Sequence, residues 1–158
     1  MFGKKKEVKE KKDFTGLTIY TALNHVTGLP LVEDVLCEIF SYPDRLEFKA
    51  GTTEIKLSKD KITDMRINTE TEIQNQKVSS VGGAVAGAML FGGIGAVIGG
   101  RAKNKKVKNV SNYLIISYNS DGELKHIVFD TQHNHPMALN LVKEFTKSGI
   151  GMKTSIEL

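Results

Sequence analysis

Apolar and polar residues alternate most regularly over residues 45–58. Leu46, Phe48, Ile55 and Leu57 interleave there with Arg45, Glu47, Lys49, Glu54 and Lys56, around a turn at Ala50-Gly51. A period of two places the first set on one sheet face, so the pattern predicts a β-hairpin with one wet face. Just before it, "VLCEIFSYP" puts Val35, Cys37 and Ile39 on one side and Leu36, Phe40 and Tyr42 on the other. That is the pattern of a strand covered on both faces. After the polar corner "SKDK", Met65, Ile67 and Ile73 share one parity in "ITDMRINTETEI", which predicts a further strand solvated on its other side.

Two later patterns are sharper. "NYLIISY" and "ELKHIVFD" flank "NSDG", and Asp121-Gly122 between two β-rich segments predicts a tight hairpin whose turn needs positive φ. Met137, Ala138, Leu141, Val142 and Phe145 recur at helical spacing, with Pro136 at the start and Gly149 at the end, and predict a capped amphipathic helix. The segment "FTGLTIYTALNHVTGLPLVEDV", with Gly28 and Pro30, reads as extended chain with turns, without assignable strands. Several antiparallel strands and one closing helix make a mainly β, α+β chain: a bent sheet or barrel with the helix packed across its open end.

One segment follows neither period of a sheet nor that of a surface helix. From Val78 to Gly100 there are 23 residues without charge, eight of them glycine. Small residues fall at Ser80, Ala84, Ala88, Gly92, Ala96 and Gly100, and a second row at Ser79, Gly83, Gly87, Gly95 and Gly99 is interrupted by Phe91. Rows of small residues four apart let helix backbones approach closely, as in small-xxx-small pairing. A flexible linker would carry Ser, Asn and Asp, not Val, Ile, Leu and Phe. As one helix the run would reach about 35 Å at about 1.5 Å per residue, enough for a bilayer core of about 30 Å. If strands before it pair with strands after it, however, residues 77 and 108 must lie on one side of any membrane. The run is therefore expected to be a helical hairpin bending near Phe91, Gly92 and Gly93, with arms of about 15 Å, too short to span.

The expected organisation is a basic tail over 1–13, a first sheet part over 14–77, the hairpin insertion with its basic flank over 78–107, a second sheet part with the helix over 108–149, and a tail over 150–158. Net charge is +4, but residues 1–12 carry six lysines against two glutamates and residues 101–108 carry five basic residues, which leaves −5 for the rest. Positive charge thus sits in two segments on an acidic body. Lys4, Lys5, Lys6, Lys77, Arg101, Lys103, Lys105, Lys106 and Lys108 are the candidate contacts to an anionic surface. Gly83, Ala84, Gly87, Ala88, Gly92, Gly95, Ala96, Gly99 and Gly100 are the candidate helix-packing or oligomerisation positions.

The stretches "HVTGLPLVEDVLCEI", "LSKDKITDMRINTETEIQNQKVSSVGGAVAGAMLFGGIGAVIGGRAKNKK" and "YLIISY" resemble small uncharacterised proteins of Gram-positive bacteria and their phages, in which a sheet like that of the pleckstrin-homology (PH) domain is interrupted by a glycine-zipper insertion. The resemblance spans roughly residues 24–147 and implies membrane contact and oligomerisation, without a catalytic signature.

Other chemistry finds little support in the residues. "HNH" at His133–His135 has a spacing that can hold a metal, yet only His25 and His126 remain to complete a shell, so no metal site is assigned. Glu33, Asp34 and the carboxylates of "NTETE" have no accompanying base, nucleophile or phosphate-binding loop, so no catalytic residue and no cofactor is assigned. Cys37 lies among apolar neighbours and reads as an inert core thiol. The basic segments contain one arginine and one phenylalanine, too little for base readout or stacking, which argues against nucleic acid. The N-terminal lysines are not followed by an apolar stretch, so no secretory signal is expected. The expectation is a non-enzymatic adaptor at the cytoplasmic face of an anionic membrane, peripheral or monotopic, which inserts or forms homo-oligomers through the hairpin and offers its sheet to a protein or lipid partner. The alternatives are a soluble homo-oligomer with the hairpins at its centre, and a membrane-perturbing toxin or phage-defence effector.

Overall fold

The computed structural model describes residues 13–74, 92–103 and 111–149. Among them, seven strands form one antiparallel sheet: β1 Ile19–Thr27, β2 Leu36–Ser41, β3 Arg45–Ala50, β4 Thr53–Ser58, β5 Ile62–Thr69, β6 Asn112–Ser120 and β7 Glu123–Asp130. The helices are α1 Glu70–Gln74, α2 Gly92–Lys103 and α3 His135–Ser148. The strand order is β4-β3-β2-β1-β7-β6-β5, so β1 joins the two halves by pairing Asn24 with Asp130 across a bulge at His25–Thr27.

The sheet is bent, and one cluster gathers inward residues from both halves: Leu23, Ile39, Leu46 and Phe48 from the first, Met65, Leu114, Ile116 and Phe129 from the second. Ala138, Leu141 and Phe145 of α3 close it, at the helical spacing expected. The ends of α3 are fixed locally. The Asn134 side chain accepts from the Met137 N–H, proline follows in the first turn, and Gly149 takes the left-handed conformation at φ 68°. The β6–β7 turn is as the sequence requires, with Asp121 at φ 52° and Gly122 at φ 82°.

The hairpin of β3 and β4 pairs Leu46 with Leu57 and Phe48 with Ile55, turning through Gly51 and Thr52. Its outer face is drier than expected, because Glu47 is only 5% exposed. The Arg45 Nε at 2.8 Å satisfies its carboxylate there, and the guanidinium lies over the Tyr42 ring.

Ile73 departs from the expected strand. The chain turns helical at Glu70, with the Thr69 hydroxyl accepting from the Glu72 N–H and the Glu72 carboxylate accepting from the Thr69 N–H, both at 3.1 Å. This reciprocal capping box starts α1, and the shared parity with Met65 and Ile67 is a coincidence. The β1 region, unassignable from sequence, is a strand because its partners come from β2 and from β7 about a hundred residues away.

Candidate functional site, the zipper helix on the outer face of the sheet

β6 and β7 are covered on both faces. Their inward residues meet α3 and the core, while Tyr113, Ile115 and Val128 point outward and, with Val26 and Ile73, are covered by Ile94 and Ile98 of α2. The unbroken apolar run Tyr113–Ile116 is the sequence signal of such double coverage. On α2, Ile94 and Ile98 are four residues apart and lie on one face, with Val97 partly buried beside them. Arg101 follows one turn on. Both ends of the insertion return to neighbouring positions, because β5 pairs along its length with β6 and the Glu70 N–H donates to the Ser111 carbonyl.

Gly95 faces α1, where a Cβ would stand 4.0 Å from the Ile73 carbonyl oxygen, an ordinary contact that does not itself require glycine. Gly99 is half-buried, whereas Ala96 and Gly100 are exposed. The helix therefore turns its branched side chains to its own sheet and one row of small residues outward. Gly83, Ala84, Gly87, Ala88, Lys4, Lys5, Lys6, Lys77, Lys105, Lys106 and Lys108 lie outside the described residues, as does the first arm of the expected hairpin. Gly92 and Lys103 are the first and last residues of α2. Among the described residues no helix is long and apolar enough to cross a membrane.

Arg101, expected to face an anionic surface, is placed otherwise. Its Nη1 lies 2.7 Å from Asp34 Oδ1 and 3.5 Å from Glu33 Oε1, and its Nη2 lies 3.3 Å from Asp130 Oδ2. The guanidinium also sits 5.9 Å from the centre of the Tyr113 ring, and Nε donates to the Tyr113 hydroxyl at 3.5 Å. Burial disfavours the charge, but the hydrogen bonds to Tyr113 and Asp34 and the Asp34 carboxylate outweigh it and raise the pKa above the ordinary arginine value.

The β1–β2 loop holds two of these carboxylates in place. The buried His25 ring is within 3.2 Å of the Val32 carbonyl through Nδ1, and its Nε2 accepts from the Leu29 N–H. That pattern fixes a neutral ring with the proton on Nδ1. The Asp34 N–H donates to the His25 carbonyl and the Asn24 amide to the Asp34 carbonyl, which together hold Asp34 at φ 65°. Gly28 starts the loop at φ 105°, where a Cβ would meet the His126 carbonyl oxygen at 2.1 Å, so only glycine fits.

The energetics of α2 are finely set. Burying two isoleucines stabilises docking by about 3–6 kcal/mol. Of the five glycines in the helix, the three beyond its first two residues, Gly95, Gly99 and Gly100, oppose helix formation by about 1 kcal/mol each. What remains is of the same order as a well-formed charge cluster, so Arg101 weighs heavily in whether α2 stays on the sheet.

Elsewhere, Lys59 is buried and its Nζ lies 3.0 Å from both Ser41 Oγ and Glu144 Oε1, tying α3 to the sheet corner. Sequence reasoning took it for part of a polar corner. Burial works against the Glu144 charge, yet hydrogen bonds with Ser41, Thr18 and Lys59 hold its pKa below the ordinary value of 4.5. Burial pushes the Cys37 thiol up to about 11, which leaves it unreactive. His133 is exposed and the His135 Nδ1 pairs with the Thr131 hydroxyl; no metal-type cluster occurs among the described residues. An open groove of about 450 Å³ runs along the outer side of β1 and β2, lined by Phe14, Leu17, Tyr20 and Phe40.

Residues 38–137 match the family described as glycine zipper containing PH domain. No curated protein matches the chain significantly.

Proposed function

The chain belongs to the family of glycine zipper containing PH domains, and PH-like domains are generally binding modules; on that premise we propose that it is a non-enzymatic adaptor held at the inner face of an anionic membrane. Its lysine segments supply the attraction, and its zipper helix supplies the contact through which copies assemble. The setting that fits the resemblance is a Gram-positive bacterial or phage-encoded protein.

One observation carries the assembly part. α2 directs Ile94 and Ile98 to its own sheet and exposes Ala96 and Gly100, members of the row spaced by four. A helix arranged in this way offers a second helix a flat backbone surface, while its greasy side is already in use. The membrane part rests on charge: with Arg101 committed to carboxylates, four lysines remain in the segment 101–108 and six in residues 1–12.

Vesicle flotation and light scattering test the two parts together. The intact chain is expected to float with phosphatidylglycerol vesicles and not with phosphatidylcholine vesicles, in a salt-sensitive way, and to scatter as an oligomer. Ala96→Leu, which costs little helix propensity, and Gly100→Leu, which improves it, leave α2 able to fold and are expected to reduce the oligomer to monomer. A monomeric wild-type chain that ignores both vesicle types would overturn the reading. An oligomer without flotation would replace it by the soluble assembly.

A further inference from the structure

We infer that Arg101 is a latch and α2 its displaceable arm: an anionic phosphate surface takes Arg101 from Asp34, Asp130 and Glu33, and α2 then leaves the sheet and presents Ile94 and Ile98 to the lipid. This rests on the membrane reading above and adds to it a state in which the zipper helix changes partner.

The geometry carries the inference in three steps. First, Arg101 provides the ion pairs between α2 and the rest of the fold among the described residues, and all three of its carboxylates belong to the sheet side. Second, the cluster is open to a competitor. The guanidinium is 15% exposed, but Asp34 and Glu33 are 59% and 52% exposed, so a phosphate can approach from the solvent side without unfolding the sheet. A guanidinium engages phosphate oxygens with the same two-pronged hydrogen bonding that it offers a carboxylate. Third, Lys103, Lys105, Lys106 and Lys108 follow Arg101 in the chain, so a surface that attracts these lysines is delivered beside the latch.

The glycines make the arm releasable. Gly95, Gly99 and Gly100 leave α2 with little intrinsic helical preference and only a short strip of branched side chains, so docking depends on a few contacts and on the latch. The strip left behind, Val26, Tyr113, Ile115 and Val128, is apolar and faces the same side as the departing arm. Both apolar surfaces therefore meet the bilayer interface together.

The test uses the full chain and two variants, Arg101→Gln and Asp34→Asn. Asparagine tolerates positive φ, so the second variant removes a carboxylate while keeping the loop. Without vesicles, amide hydrogen exchange at residues 94–101 is expected to rise about tenfold in both variants, with exchange in β6 and β7 unchanged. With phosphatidylglycerol vesicles, both variants are expected to bind more tightly than wild type, although Arg101→Gln removes a positive charge. Unchanged exchange at 94–101 in both variants overturns the latch, as does an Arg101→Gln chain that binds vesicles more weakly while Asp34→Asn binds as wild type. If no form binds phosphatidylglycerol, the membrane reading falls by that result, and the exchange measurement still decides whether the latch exists.

Discussion

Two helices cover opposite faces of one sheet, and they are held by different means. α3 covers the inner face of the sheet with Ala138, Leu141 and Phe145, has a side-chain cap at Asn134, a left-handed glycine at its end and the buried Lys59–Glu144 pair at its middle. α2 covers the outer face of β6 and β7 with Ile94 and Ile98, carries glycines along its length, and is pinned near its end by Arg101. The inner helix is fixed by large side chains in a core shared by all seven strands. The outer one is a short contact balanced against its own glycines. One sheet thus carries a permanent helix and a conditional one, and in this chain the conditional helix is the zipper.

Substitutions should separate the two faces, and the largest effect belongs to the inner one. Phe145→Ala leaves a cavity in the main core and is expected to lower global stability by about 4 kcal/mol, read from urea unfolding. Glu144→Gln strands the buried Lys59 ammonium and is expected to remove about 2 kcal/mol. Because the Glu144 pKa in the fold lies below 4.5, its contribution is complete above about pH 4.5 and is lost as the pH falls through the folded value. The gap between wild type and Glu144→Gln should close on acidification below that point. A gap that persists at low pH would mean that the pair is not the cause.

Ile98→Ala is the counterpart on the outer face. Its side chain is as fully buried as any in the core, yet the change is expected to lower global stability by no more than the docking free energy of α2, about 2 kcal/mol. The same change should speed amide exchange across residues 94–101 far more than anywhere in the sheet. If Ile98→Ala weakens global unfolding as strongly as Phe145→Ala, the distinction between the two faces is lost. The smallest effect is at the cap: Asn134→Ala is expected to remove about 1 kcal/mol, seen as a shift in the urea midpoint.

Much of the inner half was legible in the sequence because its signals are local. The Asp121-Gly122 turn, the alternation in β3 and β4, and the cap and period of α3 each sit within a few residues of the structure that they specify. The outer half was not, for reasons that differ from residue to residue. Ile73 followed a strand-like parity, but the decisive signal was the Thr69 and Glu72 capping box, three residues apart. Arg101 stood in a basic run and read as one more surface charge, because its partners Asp34 and Asp130 lie 67 residues before it and 29 after it. Lys59 and Glu144 are 85 residues apart and meet only through the closing of α3 over the sheet. Burial of a charge depends on long-range pairing, and the alternation of one strand does not report it.

Native-state hydrogen exchange of the wild-type chain, followed in α2 and α3 over increasing urea below the unfolding transition, tests the two-face account most directly. The account predicts that α3 amides exchange only through global unfolding, with strong urea dependence, and that α2 amides exchange through a local opening at lower free energy and weak urea dependence. Equal exchange free energies and equal urea dependence in the two helices would contradict it.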